Sequence, residues 1–363
     1  MDYATLGRTG LRISVAGLGC GGFSQLGLAR GKSETDAIAI IHQALDLGVN
    51  FFDTAAAYGT EAVLGKAIRA VRREDVVIAT KAPFSFSNNR STPADIVASL
   101  DKSLDQLDTD YIDVYQLHGV PPGAYDHALN TLAPVLLREK AKGKFRHLGI
   151  TETSPHDLQH ETLQRAAQDG VWDVVMVGCH MMHQNARDRV FPVTMANRVG
   201  TLLMFAVRNI FSQPERLRAD MRELAAAGEV PQWLAETPDP LSFLIHEGGA
   251  TTVPDAAYRF VRHEPGVDVV LFGTGDPEHL RTNIASILKP PLPEADRRQL
   301  ATLFGHLVGV GLDAPHLSRR GQRRRRRLPL RAARAGGRCR AVRHRRPCPS
   351  ARRYRLDPQA ALA

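Results

Sequence analysis

The chain has 363 residues, 43% hydrophobic and 23% charged, the composition of a globular protein long enough to bury a large core. No apolar run approaches the roughly 18 residues that span a bilayer, and the N-terminal MDYATLGRTG lacks the regions of a signal peptide, so cytoplasm is the expected compartment. The formal charge of +9 is unevenly placed: residues 316–363 hold 17 Arg, no Lys and one acid, a net of +16, which leaves −7 on residues 1–315 and nothing there to suggest nucleic-acid binding.

Short apolar runs recur along the body: LRISVAGLG (11–19), NFFDT (50–54), DVVIATK (75–81), YIDVYQLH (111–118), KFRHLGIT (144–151), WDVVMVG (172–178), TLLMFAV (201–207) and VDVVLFG (267–273). Their richness in Val, Ile, Leu and Phe predicts strands buried on both faces. Helical patterns lie between them. Ser33 with Asp36 makes a capping-box start for the first, and Asp46-Leu-Gly48 closes it. Thr92-Pro93 opens another, and Ser154-Pro155 repeats that signal. Residues 208–253 are longer and less regular, which predicts an elaborated loop after the seventh strand, and a terminal helix is expected over 293–307.

Eight strands alternating with helices predict an α/β fold, a (β/α)₈ TIM barrel over residues 1–310. Residues 311–363 form a basic, low-complexity tail without a usable hydrophobic period, expected to be disordered. A competing fingerprint exists: Gly17-Leu-Gly19-Cys-Gly21-Gly22 satisfies G-x-G-x-x-G after a strand. A Rossmann fold needs the third glycine to open a helix, whereas FSQLGLARGK intervenes here and the best N-cap is Ser33. The favoured reading is a glycine-rich loop at a barrel mouth.

In a barrel, residues just after the strands collect on one face. Asp53 and Tyr58 follow the second predicted strand, Lys81 ends the third and His118 the fourth. Each alone reads as an ordinary surface or structural residue; convergence on one rim gives them joint meaning. Together they suit carbonyl reduction. A tyrosine hydroxyl, with a pKa of about 10, is a weak acid near neutrality. The Lys81 ammonium would stabilise its phenolate, Asp53 would keep Lys81 charged, and His118 would share the proton or hydrogen-bond the substrate oxygen. The hydride must come from a cofactor.

At these residues the sequence resembles the aldo-keto reductase family. The matching pieces are FFDTAAAYG (51–59), IATKA (78–82), DYIDVYQLHG (110–119), HLGIT (147–151) and GTGDPEHLRTNIAS (273–286), in family order from residue 1 to about 305. The resemblance implies that Asp53, Tyr58, Lys81 and His118 form a catalytic tetrad with Tyr58 as proton donor. It also implies NADP or NAD as cofactor, bound across the strand ends, and a small carbonyl or sugar-like substrate. The cofactor-side positions so implied are Gly22, Thr151, Glu152, Phe205, Gly273, Thr274, Gly275, His279 and Asn283.

The chain departs from the family pattern at three places. The usual Ser-Asn after the fifth strand is Thr151-Glu152, the sixth-strand glutamine is Met176, and Gly275-Asp276 offers no positive charge to a 2′-phosphate, which opens NADH use. Phe205 sits at a ring-stacking position, with a buried core Phe as the alternative. Without the resemblance, His279 and Asn283 read as an exposed helical face, and Arg208 as a pyrophosphate contact or a surface ion-pair partner. Cys179, His180 and His183, like Cys339, His344 and Cys348 in the tail, lack a full ligand set or a scaffold, so no metal site is expected. Two further functions stay open. One is a redox-sensing barrel that binds cofactor with little turnover, motivated by Glu152 and Met176. The other is nucleic-acid or anionic-surface binding by the tail, against which stand its missing aromatics and helical order and an Arg-Ala-Gly-Pro composition that GC-rich DNA read out of frame could yield.

Overall fold

The computed structural model describes residues 1–84, 91–153 and 156–312. Eight parallel strands close into a barrel in chain order: β1 (Ala16–Gly19), β2 (Phe51–Asp53), β3 (Val77–Pro83), β4 (Ile112–Val120), β5 (Phe145–Glu152), β6 (Val174–Gly178), β7 (Gly200–Met204) and β8 (Val269–Phe272). The ring is sealed where Val270 pairs with Ala16 and Val269 with Leu202. The predicted (β/α)₈ barrel is therefore the observed fold. The Rossmann alternative fails on two counts: β1 lies in a closed sheet, and a kinked 3₁₀ segment (Gln25–Arg30) separates the glycines from the first α-helix.

That helix, α1 (Glu34–Asp46), starts as its sequence predicts. Asp36 N–H donates to Ser33 Oγ at 3.1 Å, and Ser33 N–H donates back to Asp36 Oδ2 at 2.9 Å. Ala37, Ile40, Ile41 and Ala44 form its buried stripe. α2 (Glu61–Ile68) follows β2, and α3 (Pro93–Leu107) follows β3 behind the same reciprocal cap, Thr92 with Asp95. Ser154 and Pro155 lie outside the described residues, as do residues 313–363 and with them the expectations for the tail.

One predicted strand is in fact two. Arg12–Ser14 pairs antiparallel with Tyr3–Thr5, and β1 begins only at Ala16. Ser14 is the pivot: its hydroxyl donates to Ala16 O at 2.8 Å and its N–H to Asn50 Oδ1 at 2.6 Å, so both donors are taken outside the hairpin ladder. The hairpin plugs the N-terminal mouth. Leu6 and Ile13 join Phe51, Val77, Val114 and Val269 in an apolar cluster inside the barrel, each side chain contributing about 1.5–3 kcal/mol by its burial. The opposite mouth is left for chemistry.

The stretch after β7 is elaborated as expected and is largely helical: Asn209–Ser212, Pro214–Ala226 and Trp233–Glu236 precede the helix Val253–Arg262 that leads into β8. After β8 come α4 (Pro277–Leu288) and the terminal helix α5 (Glu294–Phe304). Among the described residues no helix is long and apolar enough to cross a membrane.

Candidate active site

The strand ends bring Asp53, Tyr58, Lys81 and His118 together. Asp53 ends β2, Lys81 lies near the end of β3, and His118 lies near the end of β4. Tyr58 ends a single 3₁₀ turn (Ala56–Tyr58) that follows β2. The Lys81 ammonium is held by three acceptors: both Asp53 carboxylate oxygens and Thr54 O accept from it at 2.7 Å. Its Nζ stands 5.1 Å from the Tyr58 ring centroid. The Tyr58 hydroxyl lies 3.4 Å from His118 Nε2, with the two rings edge-to-face at 87°.

Burial dominates the electrostatics. It raises the Tyr58 hydroxyl above its ordinary pKa, and Lys81 pulls in the other direction without overcoming it. The sequence-based expectation captured the Lys81 effect but not the larger burial effect. Burial, reinforced by the Lys81 charge, pushes His118 down to about 3, so its imidazole is neutral near pH 7. Burial also raises Asp53 against the pull of Lys81. For Lys81 burial acts downward, but Asp53 and Tyr58 hold the ammonium above its usual range. The cation is thereby locked in its charged form beside the phenol.

Gly21 is a part of this site that the sequence did not single out. A Cβ there would lie 2.4 Å from Tyr58 Cε2 and 2.5 Å from Cδ2. The Tyr58 ring rests on bare backbone of the glycine-rich loop, a contact that the loop's sequence alone did not reveal.

The cofactor-side positions divide into groups. Thr151 Oγ accepts from Gly119 N–H at 2.7 Å. Glu152 is buried and engaged at both oxygens: Gly178 N–H donates to Oε1 at 2.7 Å, and His160 Nδ1 lies 2.6 Å from Oε2. The other His160 nitrogen faces Asn185 Oδ1 at 3.0 Å. Two acceptors around one imidazole favour its cation, and although burial works against this charge, Glu152 raises the His160 pKa. His160 is 8 residues from Glu152, and no spacing rule pointed to the pair.

Phe205 is not a core residue. It is half-buried just beyond β7 with φ +74°, a strained value for a side chain of its size. Its ring lies over Gly178, where a Cβ would stand 2.9 Å from Cδ2. The Arg208 guanidinium is stacked between Phe205 at 4.3 Å and Phe23 at 5.1 Å. Gly22 has φ +73° and open space where a side chain would be. Gly273 and Gly275 press the loop after β8 onto the loop after β1; a Cβ on Gly275 would come within 2.3 Å of Gly27. Thr274 Oγ accepts from Asp276 N–H at 3.0 Å. Asp276 caps α4 by accepting from Glu278 N–H at 2.8 Å and His279 N–H at 3.0 Å. On that helix His279 is exposed and Asn283 half-buried. Lys32 Nζ donates to Gly275 O at 2.7 Å, a cation brought in from 243 residues away that sequence reasoning missed.

His180 and His183 are buried and tied into the backbone: Met182 N–H donates to His180 Nδ1 at 3.2 Å and Gly309 N–H to His183 Nδ1 at 3.1 Å. Among the described residues no group of three or more His, Cys, Asp or Glu side chains is arranged to hold a metal ion. Met176 faces the apolar barrel interior.

Comparison with known proteins agrees with this architecture. The chain is 36% identical over 191 residues to L-galactose dehydrogenase of Arabidopsis thaliana, covering 50% of this chain and 57% of that relative. It is 26% identical over 324 residues to aldo-keto reductase YhdN of Bacillus subtilis, covering 85% of this chain and 95% of the relative. Among solved structures, the holo form of aldo-keto reductase AKR11C1 from Bacillus halodurans superposes with a TM-score of 0.63 at 22% identity, over 84% of this chain and 96% of that one, which speaks to the fold. The profile of the Aldo/keto reductase family matches residues 17–303, the whole span from β1 to the terminal helix, and with the closed barrel and this match the chain belongs to that family of carbonyl–alcohol oxidoreductases.

Proposed function

We propose that the protein is an NAD(P)H-dependent oxidoreductase that interconverts a small aldehyde, ketone or sugar-like carbonyl with its alcohol, Tyr58 being the proton donor. The observation that carries this reading is the buried Asp53–Lys81 pair held beneath a Tyr58 hydroxyl that also meets a neutral His118. Lys81 favours the phenolate left behind when Tyr58 gives up its proton. In the tautomer protonated at Nε2, His118 would offer that N–H to the substrate oxygen, and it does not itself ionise near neutrality. Asp53 keeps Lys81 charged and immobile.

The glycine loops after β1 and β8, with the half-buried Phe205 face and Arg208 between them, suit a dinucleotide lying across the strand ends. Gly22, Phe205, Gly273, Thr274, Gly275, His279 and Asn283 would hold it. When bound, the nicotinamide supplies the hydride. Asp276 already occupies the first amides of α4 and Glu278 adds a second carboxylate nearby, two acids against the one Lys32 ammonium that reaches Gly275 O. These features disfavour a 2′-phosphate, so NADH is the expected partner. The relative named L-galactose dehydrogenase supports the sugar-like end of the substrate range.

Titration with NADH and NADPH, followed by a carbonyl and aldose panel, tests the reading. Tighter NADH binding with steady turnover of a panel member is expected. Cofactor binding without consumption of any member would instead support the regulatory barrel. Gly21→Ala offers a sharper structural check. Its methyl must displace the Tyr58 ring, so kcat should fall at least about tenfold while the protein stays folded. An unchanged kcat would show that ring placement at Tyr58 does not limit the reaction.

A further inference from the structure

We infer that Thr151 is a positioning residue that aims His118 into the site by holding the backbone of the residue after it. Between Leu117 and Val120, β4 carries one residue more than its neighbour: Leu117 pairs with Ile150, and Val120 with Glu152, so His118 and Gly119 together oppose Thr151. The bulge turns on Gly119, whose φ of +68° belongs to the left-handed region that glycine tolerates. A bulge breaks the ladder and leaves a buried N–H in need of an acceptor. Thr151 Oγ meets that need at 2.7 Å, and Thr151 itself is 2% exposed. The hydroxyl's own proton has a contact of only 3.5 Å, to Glu152 O, so acceptance from Gly119 is its well-made bond. Because the bulge sets the direction of His118, a side chain that pins Gly119 sets the 3.4 Å approach of His118 Nε2 to the Tyr58 hydroxyl. The inference rests on the proposed role of His118 in carbonyl reduction.

The test is a double-variant cycle on the full chain with Thr151→Val, Thr151→Ser and His118→Ala. Thr151→Val should lower kcat about ten- to a hundredfold, leave the Kd for NADH within about twofold, and be rescued by Thr151→Ser. In the His118→Ala background, Thr151→Val should change kcat by less than about twofold, since the group it positions is gone. Equal losses in both backgrounds, or a weakened Kd for NADH as the main effect, would overturn the inference and make Thr151 a cofactor contact. Near-parental kcat in folded Thr151→Val would overturn it as well. If His118→Ala alone retains full turnover, the proposed catalytic role of His118 fails first. A costly His118→Ala with a silent Thr151→Val refutes the positioning role alone.

Discussion

Tyr58→Phe should lose about two to four orders of magnitude in kcat for carbonyl reduction while keeping its fold and its affinity for NADH. The expectation follows from what the substitution removes and what it leaves. The ring still fills the space above Gly21, still stands edge-on to His118 and still lies near the Lys81 ammonium. Only the hydroxyl goes, and its contact to His118 is long, at 3.4 Å, so the stability change should stay within about 1 kcal/mol. No neighbour can replace the missing acid. His118 is held neutral by burial and by Lys81, and Lys81 is held protonated above its usual range while it donates to Asp53 and Thr54 O. Single-turnover and steady-state rates with saturating NADH, alongside a thermal melt, check the claim. Turnover near the parental rate in a folded Tyr58→Phe protein would remove Tyr58 from the mechanism.

The contrast between what the sequence revealed and what it hid has a physical basis. Strands buried on both faces are nearly continuous apolar runs, and such runs announce themselves. Their order, with helical patterns between, is enough for a barrel. The error at residues 11–19 came from the same signal. Hairpin and barrel strand are both apolar, and the break at Ser14 depends on Asn50, 36 residues on. In the site, Asp53 and Tyr58 were legible because they are near one another in sequence, and Lys81 and His118 because strand ends converge. Contacts that depend on three-dimensional approach were not legible. Gly21 under Tyr58, Lys32 on Gly275 and Gly119 on Thr151 join the ends of separate strands or the loops that follow them. The direction of the Tyr58 pKa was equally hidden, since burial is summed over the whole surrounding shell, whereas the single charge opposing it could be named from sequence.

Lys81→Met should be the most damaging change for the fold and the site together. Methionine matches the length of the lysine stem but leaves the Asp53 carboxylate buried, 5% exposed, without its cation. Breaking a buried pair in this way costs about 3–5 kcal/mol, because the remaining charge is uncompensated. The penalty depends on pH in a definite direction. Burial already raises Asp53 above its ordinary pKa, and loss of Lys81 removes the main opposing influence. A carboxyl with a raised folded-state pKa gives stability that is complete below the unfolded value of about 3.9 and is lost as pH rises through the folded value. The stability gap between parent and Lys81→Met should therefore be wider at pH 8 than at pH 5, as urea midpoints at the two values would show. Equal gaps would mean that Asp53 does not depend on Lys81 for its charge. Turnover should fall by at least about a hundredfold, since burial of the Tyr58 hydroxyl is then unopposed. Adding Asp53→Asn to Lys81→Met separates the two effects. The neutral pair should regain much of the stability, and its pH dependence should flatten. Turnover should stay low, because the cation beside Tyr58 is still absent. Recovery of both would reduce the pair to a structural element; recovery of stability alone is what a charge held for proton transfer requires.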